Sequence, residues 1–322
     1  MKAYVYTANG PAIVEVPEPE PKGSQVKVRV RAGGLNRADL GIAKGHAHGA
    51  AGGAGTVLGM EWAGEVVETG PEARGVAVGD RVMGSGTATF ADYTLADHGR
   101  LFPIPDGMDF VHAASLPLAL TTMHNALVTV GGVSAGQSVL IQGASSGVGL
   151  MGLQIARLKG ARPVIGSSTD PTRRARLTEF GANLAIDPRD DGWADAVLAA
   201  TGGNGVDLVI DQVSAATINR TLAATKVQGR IVNVGRLGGS RGEFDFDLHA
   251  ARRITYIGVT FRTRSIQEIR DIFTAVRADI WPQVASGALA LPIDKVFAFA
   301  DIGNAYAHME ANRHFGKIVV TL

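Results

Sequence analysis

The stretch Val139-Leu-Ile-Gln-Gly-Ala-Ser-Ser-Gly-Val-Gly-Leu150 constrains this chain more than any other. An apolar strand ends in a turn of very small residues, and an amphipathic helix over 150–159 follows at once. A strand fed into a helix through Gly143, Gly147 and Gly149 lets the backbone approach a pyrophosphate. The helix N-terminus then offers that anion unpaired N–H groups and a partial positive charge. The spacing is Gly143-x-x-x-Gly147-x-Gly149 rather than G-x-G-x-x-G, because Ala144 and Ser146 stand where the first two glycines of that pattern fall. Taken alone, such a turn is also compatible with a tight strand-to-helix connection.

Its surroundings favour the nucleotide. Residues 163–168 read as a second strand, 172–180 as a helix and 183–187 as a third strand. Helical spacing returns over 193–200, followed by the apolar run Val206-Asp-Leu-Val-Ile-Asp211, a helix at 218–223, and strands at 230–235 and 255–259. Short apolar strands alternating with helices build right-handed βαβ units around a parallel sheet buried on both faces. Such an α/β, doubly wound fold binds its nucleotide at the carboxyl ends of the strands, where the glycine turn lies.

The 322 residues suffice for two cores. A net charge of +1 offers no footprint for nucleic acid or an anionic membrane surface. With no cysteine, disulfides, thiolate nucleophiles and thiolate-bearing zinc sites are excluded. No run approaches the length of a membrane-spanning helix, and the start lacks the apolar core of a signal peptide, so a cytoplasmic protein is expected. The first 115 or so residues differ in texture: short strands near 26–30, 64–67, 80–83 and 91–95, broken by Gly/Pro clusters, suggest a small β domain of barrel type. The glycine-rich stretch 45–55 reads as a surface loop. A helix over 265–285, a strand at 295–298, a helix at 301–309 and a strand at 317–322 close the chain and need a partner sheet, which the N-terminal region supplies.

Six segments then carry a resemblance: Gly34-Leu-Asn-Arg-Ala-Asp39, Leu58-Gly-Met-Glu-Trp-Ala-Gly-Glu-Val-Val67, Val78-Gly-Asp-Arg-Val-Met83, Leu118-Ala-Leu-Thr-Thr-Met-His124, the glycine turn, and His314-Phe-Gly-Lys-Ile-Val319. In this order they resemble the medium-chain dehydrogenase/reductase superfamily, most closely its zinc-independent quinone oxidoreductase branch. The resemblance covers nearly the whole chain. It implies a GroES-like β-barrel domain from residues 1–119 with 260–322, a Rossmann domain at 120–259 with a six-stranded parallel doubly wound sheet, and a homodimer formed through the latter. The edge strand 255–259 suits such pairing.

Two neighbouring families are set aside on residues. Zinc alcohol dehydrogenases of the superfamily place Cys, His and Glu around a catalytic metal, whereas the matching positions here hold Asn36, Met60 and Glu61. Short-chain reductases need a Tyr-x-x-x-Lys pair, and none of the five tyrosines has Lys four positions on. What remains for a metal-free site is hydride delivery to an acceptor that is already electrophilic, a quinone or an α,β-unsaturated carbonyl. The resemblance places Asn36 beside the nicotinamide and substrate oxygen, and Thr121 near the cofactor's ribose. Asn36 also suits the N-cap of a helix over 37–42, and Thr121 a plain helix-start hydroxyl. Asp39 is read as a cap or a partner of Arg37 or Lys44. For a proton donor the sequence offers His46 and His48 in the glycine-rich loop, His124 on a helix, or solvent.

NADPH is the expected cofactor. An NAD site usually has Asp or Glu at the end of the second strand, where this chain has Ser167 and Ser168, followed by Arg173 and Arg174. Hydroxyls and guanidiniums suit a 2′-phosphate. Asp170, followed by Pro171, looks displaced past the strand as a helix cap, and Pro188 departs from the Tyr of some NADPH-binding relatives that the resemblance brings in. The cofactor set is Gly143, Ala144, Ser145, Ser146, Gly147, Val148, Gly149, Ser167, Ser168, Arg173, Arg174, Val234, Gly235 and Lys317, with no metal ligand. The expected partner is a small quinone or enone, with neither nucleic acid nor membrane. The branch also holds NADPH-binding crystallin-like proteins with structural or RNA-binding roles, an alternative that the charge balance disfavours.

Overall fold

The computed structural model describes residues 1–47, 49 and 52–322. The chain divides into two units, Met1–Thr121 with Phe261–Leu322, and Thr122–Thr260. Strands are numbered in chain order.

The first unit begins with a hairpin of Lys2–Thr7 (β1) and Gly10–Glu15 (β2). Its centre is Gln25–Gly34 (β3), where Val26, Val28 and Val30 point inward and Lys27, Arg29 and Arg31 outward, the period-two pattern of a half-buried strand. β3 pairs antiparallel with Glu61–Thr69 (β4) and with Tyr93–Asp97 (β6); β4 continues to Arg81–Ser85 (β5) and Leu101–Pro103 (β7). The three valines of β3 pack on Trp62, Val66, Val82 and Leu101. Full burial of each such side chain contributes about 1.5–3 kcal/mol.

The end of the chain completes this sheet. Ile293–Ala298 (β14) and Lys317–Thr321 (β15) run parallel, and β15 pairs antiparallel with β3, Val319 opposite Gly34. The helix Ile302–Glu310 between them buries Ile302, Ala305, Tyr306 and Met309 against Tyr4, Phe90 and Ile318. Those positions recur every three to four residues, so one helix face meets the core. The long helix Ile266–Ala285 opens on a capping box of Ser265 and Glu268, as its sequence suggests, and stacks Phe273 on Phe102 at 4.5 Å.

In the second unit Val139–Gln142 (β8), Val164–Ser167 (β9), Leu184–Ile186 (β10), Val206–Asp211 (β11), Thr225–Asn233 (β12) and Thr255–Gly258 (β13) form one parallel sheet in the order β10-β9-β8-β11-β12-β13. The chain runs outward from β8 to β10 and then returns to the other side of β8. The order therefore reverses between β8 and β11, whose registered ends are Gln142 and Asp211. That reversal is the switch point at which doubly wound sheets bind ligands. Leu140, Ile165, Val209, Ile231, Trp193 and Leu222 form the core on one face.

Some boundaries differ from the sequence reading. The helix after the glycine turn begins at Gly147, not at 150, because Ser146 caps it. The helix expected over 172–180 is Pro171–Ala175 followed by a 3₁₀ turn, Arg176–Phe180, that stops at left-handed Gly181. β12 starts and ends earlier than expected, so Val234 and Gly235 lie just beyond it. Of the glycine-rich stretch 45–55, residues 48, 50 and 51, including the proton-donor candidate His48, fall outside the described residues. Among the described residues no helix is long and apolar enough to cross a membrane.

Candidate active site

In the second unit β8 runs into the turn that opens the helix Gly147–Leu158. The Ser146 hydroxyl accepts the Gly149 N–H at 3.0 Å. This cap satisfies one of the amides that the first helical turn leaves over, so those of Gly147 and Val148 stay available to an anion at the positive end of the helix. Gly149 serves packing: a Cβ there would lie 2.6 Å from the Ala144 Cα, forcing helix and turn apart. Ser167 is fully buried, donates to Gln142 Oε1 at 2.6 Å and accepts the Gly143 N–H at 2.9 Å. Its hydroxyl is therefore spent on shaping the turn. Ser168 donates to Ser145 at 3.0 Å and joins the two expected cofactor segments.

Past β9, Asp170 is the N-cap of Pro171–Ala175 and accepts the Arg173 N–H at 2.8 Å, which holds its carboxyl below the usual range. It is thus a helix cap, as the following proline suggests. The Arg173 Nε lies 3.7 Å from Asp170, while Arg174 donates to Ser168 O and to Asp187, both at 2.9 Å. Arg189, which the sequence reading missed, binds both oxygens of Asp187 and the Thr169 carbonyl. Its hydrogen bonds, with Arg174 nearby, bring Asp187 down to about 2. Three guanidiniums thus gather around two carboxylates past the ends of β9 and β10. The pair Asp187-x-Arg189 just beyond a short strand was the available signal. The N–H groups of Val234 and Gly235 both turn back on the Asp211 carbonyl, at 2.8 and 3.1 Å. Asp211 itself was not anticipated: it is buried, which raises its carboxyl, and its Oδ1 accepts the Val213 and Ser214 amides.

The first unit gathers the other candidates. Asn36 follows β3 and begins the helix Arg37–Ile42, as read, with its N–H donated to Asp39 Oδ2 at 2.8 Å. Its Oδ1 accepts from the Lys317 ammonium at 3.0 Å, and its Nδ2 donates to Glu61 Oε1 at 2.9 Å and to Gly34 O at 3.3 Å. Lys317 also forms a very short ion pair with Glu61 Oε1. Glu61 Oε2 accepts the Leu118 N–H at 3.0 Å, which ties this cluster to the helix Pro117–His124. Thr121, one turn further, is buried and donates to Pro117 O at 2.7 Å. Lys317, expected at the cofactor, donates to Asn36 and Glu61 in this unit.

Asp39 caps Asn36 but does not pair with Arg37 or Lys44. Arg37 reaches Asn312 and the Met309 carbonyl, and Lys44 pairs with Glu310. Burial raises the Asp39 carboxyl to about 7 against the opposing hydrogen bond of Asn36 and the charge of Lys317. Its Oδ1 and the Tyr306 hydroxyl are buried with no hydrogen-bond partner among the described residues. His46 is exposed, and His124 is buried. No group of three or more His, Cys, Asp or Glu that could hold a metal occurs among the described residues, and Glu61 already carries the Lys317 counter-charge.

Known proteins share this fold. Residues 22–106 match the alcohol dehydrogenase GroES-like domain, and residues 147–277 match the family described as zinc-binding dehydrogenase. An alcohol dehydrogenase superfamily protein of known structure from Novosphingobium aromaticivorans is 31% identical, covers 100% of this chain and 99% of its own, and superposes with a TM-score of 0.90. A mycobacterial quinone oxidoreductase is 26% identical with full coverage of both chains and a TM-score of 0.89, as is a mycobacterial protein solved with NADPH. A phenolphthiocerol/phthiocerol polyketide synthase of Mycobacterium tuberculosis is 32% identical over 310 residues, 96% of this chain but 14% of that protein. The chain thus spans a small fraction of the length of that curated relative. The two matched domains and the full-length likeness agree: the chain belongs to the medium-chain dehydrogenase/reductase superfamily of oxidoreductases.

Proposed function

We propose that this protein is an NADPH-dependent, metal-independent reductase acting on quinones or on the activated C=C bond of α,β-unsaturated carbonyls. The observation that carries the reading is the Lys317–Glu61 ion pair with the Asn36 amide hydrogen-bonded to both of its members. At the positions where zinc enzymes of the superfamily bind metal, this chain has an amide, the thioether of Met60 and a carboxylate already neutralised by an ammonium. Oxidation of an unactivated alcohol lacks Lewis-acid support there. A conjugated acceptor needs less, because its own π system carries the arriving charge to an oxygen that positioned donors can stabilise.

The cofactor assignment rests on the second unit. Gly147 and Val148 offer N–H groups to the pyrophosphate, with Ala144 and Ser145 completing the turn. Ser168, Arg173, Arg174 and Arg189 surround the place where a 2′-phosphate is read, and Val234 and Gly235 supply backbone beside the switch point. When bound, NADPH supplies the hydride. Asn36 orients the acceptor, Thr121 supports the cofactor, and solvent provides the proton. The NADPH complex of a mycobacterial neighbour and the quinone oxidoreductase name of another support this reading. The exposed edge strand β13 supports a homodimer.

The test is steady-state NADPH consumption with a panel of simple quinones and enones. Tight NADPH binding without turnover of any of them would favour the crystallin-like structural alternative.

A further inference from the structure

The side-chain amide of Asn36 can face either way round, and its neighbours choose between the two. Oδ1 faces the Lys317 ammonium at 3.0 Å, and Nδ2 faces Glu61 Oε1 at 2.9 Å. Turned over, the amide would set N–H against an ammonium and oxygen against a carboxylate. The neighbours are themselves fixed. Glu61 Oε2 is held by the Leu118 N–H, and the Lys317 backbone donates to Pro292 O at 2.9 Å. Gly34 leaves room for the carboxylate, since a Cβ there would come within 2.6 Å of Glu61 Oε1 and 2.5 Å of Ala114 O. Exposure is 0% for Glu61, 3% for Lys317 and 8% for Asn36, so Asn36 is the least buried member of the cluster.

We propose that Lys317 and Glu61 are positioning residues that clamp the Asn36 amide in one orientation, and that Lys317 acts inside this cluster rather than on the cofactor phosphates. The inference rests on the reductase reading above. The clamp works through charge. The ammonium makes Oδ1 the inward acceptor, the carboxylate takes one N–H, and the other N–H keeps only the long 3.3 Å contact to Gly34 O. That weakly engaged N–H is the one the amide has to offer an acceptor oxygen. Removing the ammonium takes away the partner that fixes Oδ1, so the amide is held on one side only and its N–H is no longer aimed at developing negative charge.

Kinetics and binding of Lys317→Met, Lys317→Arg, Asn36→Ala and the Lys317→Met/Asn36→Ala double variant test the clamp. Lys317→Met is expected to lower kcat on the order of tenfold or more, and Asn36→Ala to add less than about threefold on top, since the two act as a unit. NADPH affinity by fluorescence titration should move by less than about threefold, and its salt dependence should not change. Lys317→Arg should recover part of kcat. Because Lys317→Met strands a buried carboxylate, the neutral pair Glu61→Gln/Lys317→Gln is measured beside it with thermal unfolding, and the same loss of kcat is expected. A rise of roughly tenfold or more in NADPH Kd with kcat preserved would make Lys317 a cofactor ligand and overturn the proposal. Multiplicative losses in the double variant would overturn it as well.

A readout without turnover separates this inference from the reductase reading. In ¹⁵N-labelled protein free of NADPH, the Asn36 side-chain N–H held by Glu61, assigned by its loss in Asn36→Ala, should exchange slowly with solvent. Exchange should be on the order of tenfold faster in Glu61→Gln/Lys317→Gln. Equal exchange in both proteins would refute the clamp, and slow exchange released by the variant would uphold it even if the wild type reduced neither quinone nor enone.

Discussion

Asp39 sets a stability test that needs no substrate. Burial raises its carboxyl to about 7, Glu61 pushes the same way, and the Asn36 N–H and Lys317 oppose. An unfolded aspartate titrates near 3.9. Between those values the folded chain holds a proton that the unfolded chain has lost. Its stabilising contribution is therefore complete below about pH 4 and disappears as the pH rises through about 7. About three pKa units at 1.36 kcal/mol each give an upper figure of roughly 4 kcal/mol, and relaxation around the site makes about 2–4 kcal/mol the working range. Asp39→Asn keeps an oxygen to accept the Asn36 N–H and removes the titration. The assay is urea unfolding from pH 4.5 to pH 8.5 in a Trp193→Phe background, where the remaining Trp62 and Trp281 both report on the unit that carries Asp39. The variant should gain on its parent as pH rises, by about 2–4 kcal/mol across the range, and the gain should level off above neutrality. A difference that stays constant with pH would mean that Asp39 titrates as an ordinary exposed carboxyl, and the account of its burial would be wrong.

Other outcomes follow from the remaining sites. NADPH should bind at least about tenfold tighter than NADH, and Arg173→Ala/Arg174→Ala should erase most of that preference, since charged hydrogen bonds to a phosphate contribute about 1.5–3 kcal/mol; equal affinities in the parent would refute it. Arg189→Ala should lower the preference in the same assay. Dialysis against a strong chelator should leave turnover unchanged, whereas loss restored by zinc would contradict the role given to Lys317 and Glu61. Sedimentation at micromolar concentration should give twice the 33.5 kDa chain mass, and a monomer would exclude pairing through β13.

Much of the fold could be read in the sequence because its signals are periodic and local. The run Val206–Asp211 and the helix Trp193–Ala200 fall where apolar patterning sets them. Ser265 with Glu268 marks a helix start by itself, and Asp170-Pro171 marks another. Boundaries shifted where capping overrode apolar spacing, as at Ser146, or where a strand extends through polar residues, as β12 does from Thr225. The site was legible only in part, because its logic is long-range. Lys317 is separated from Glu61 by most of the chain, and the pairing of β15 with β3 and of β3 with β4 brings them together. No local pattern distinguishes a lysine bound for a phosphate from one bound for a buried carboxylate. Ser167 likewise looked like a ribose-side hydroxyl, yet strand register turns it toward Gln142. Asp211 ends a strand that reads as plainly structural, and nothing nearby announces that its carboxylate folds back on the turn after it.

The central claim is hydride transfer from NADPH to a conjugated acceptor at a site that works without metal. It is tested most directly by incubating the chelated protein with NADPH deuterated at the transferring position and a simple enone, then locating the label in the product. The account predicts deuterium on the β-carbon, a solvent proton on the α-carbon, and no oxidation of ethanol or a secondary alcohol at a comparable rate. Label absent from the β-carbon, or alcohol oxidation that outpaces reduction of every quinone and enone offered, would contradict it.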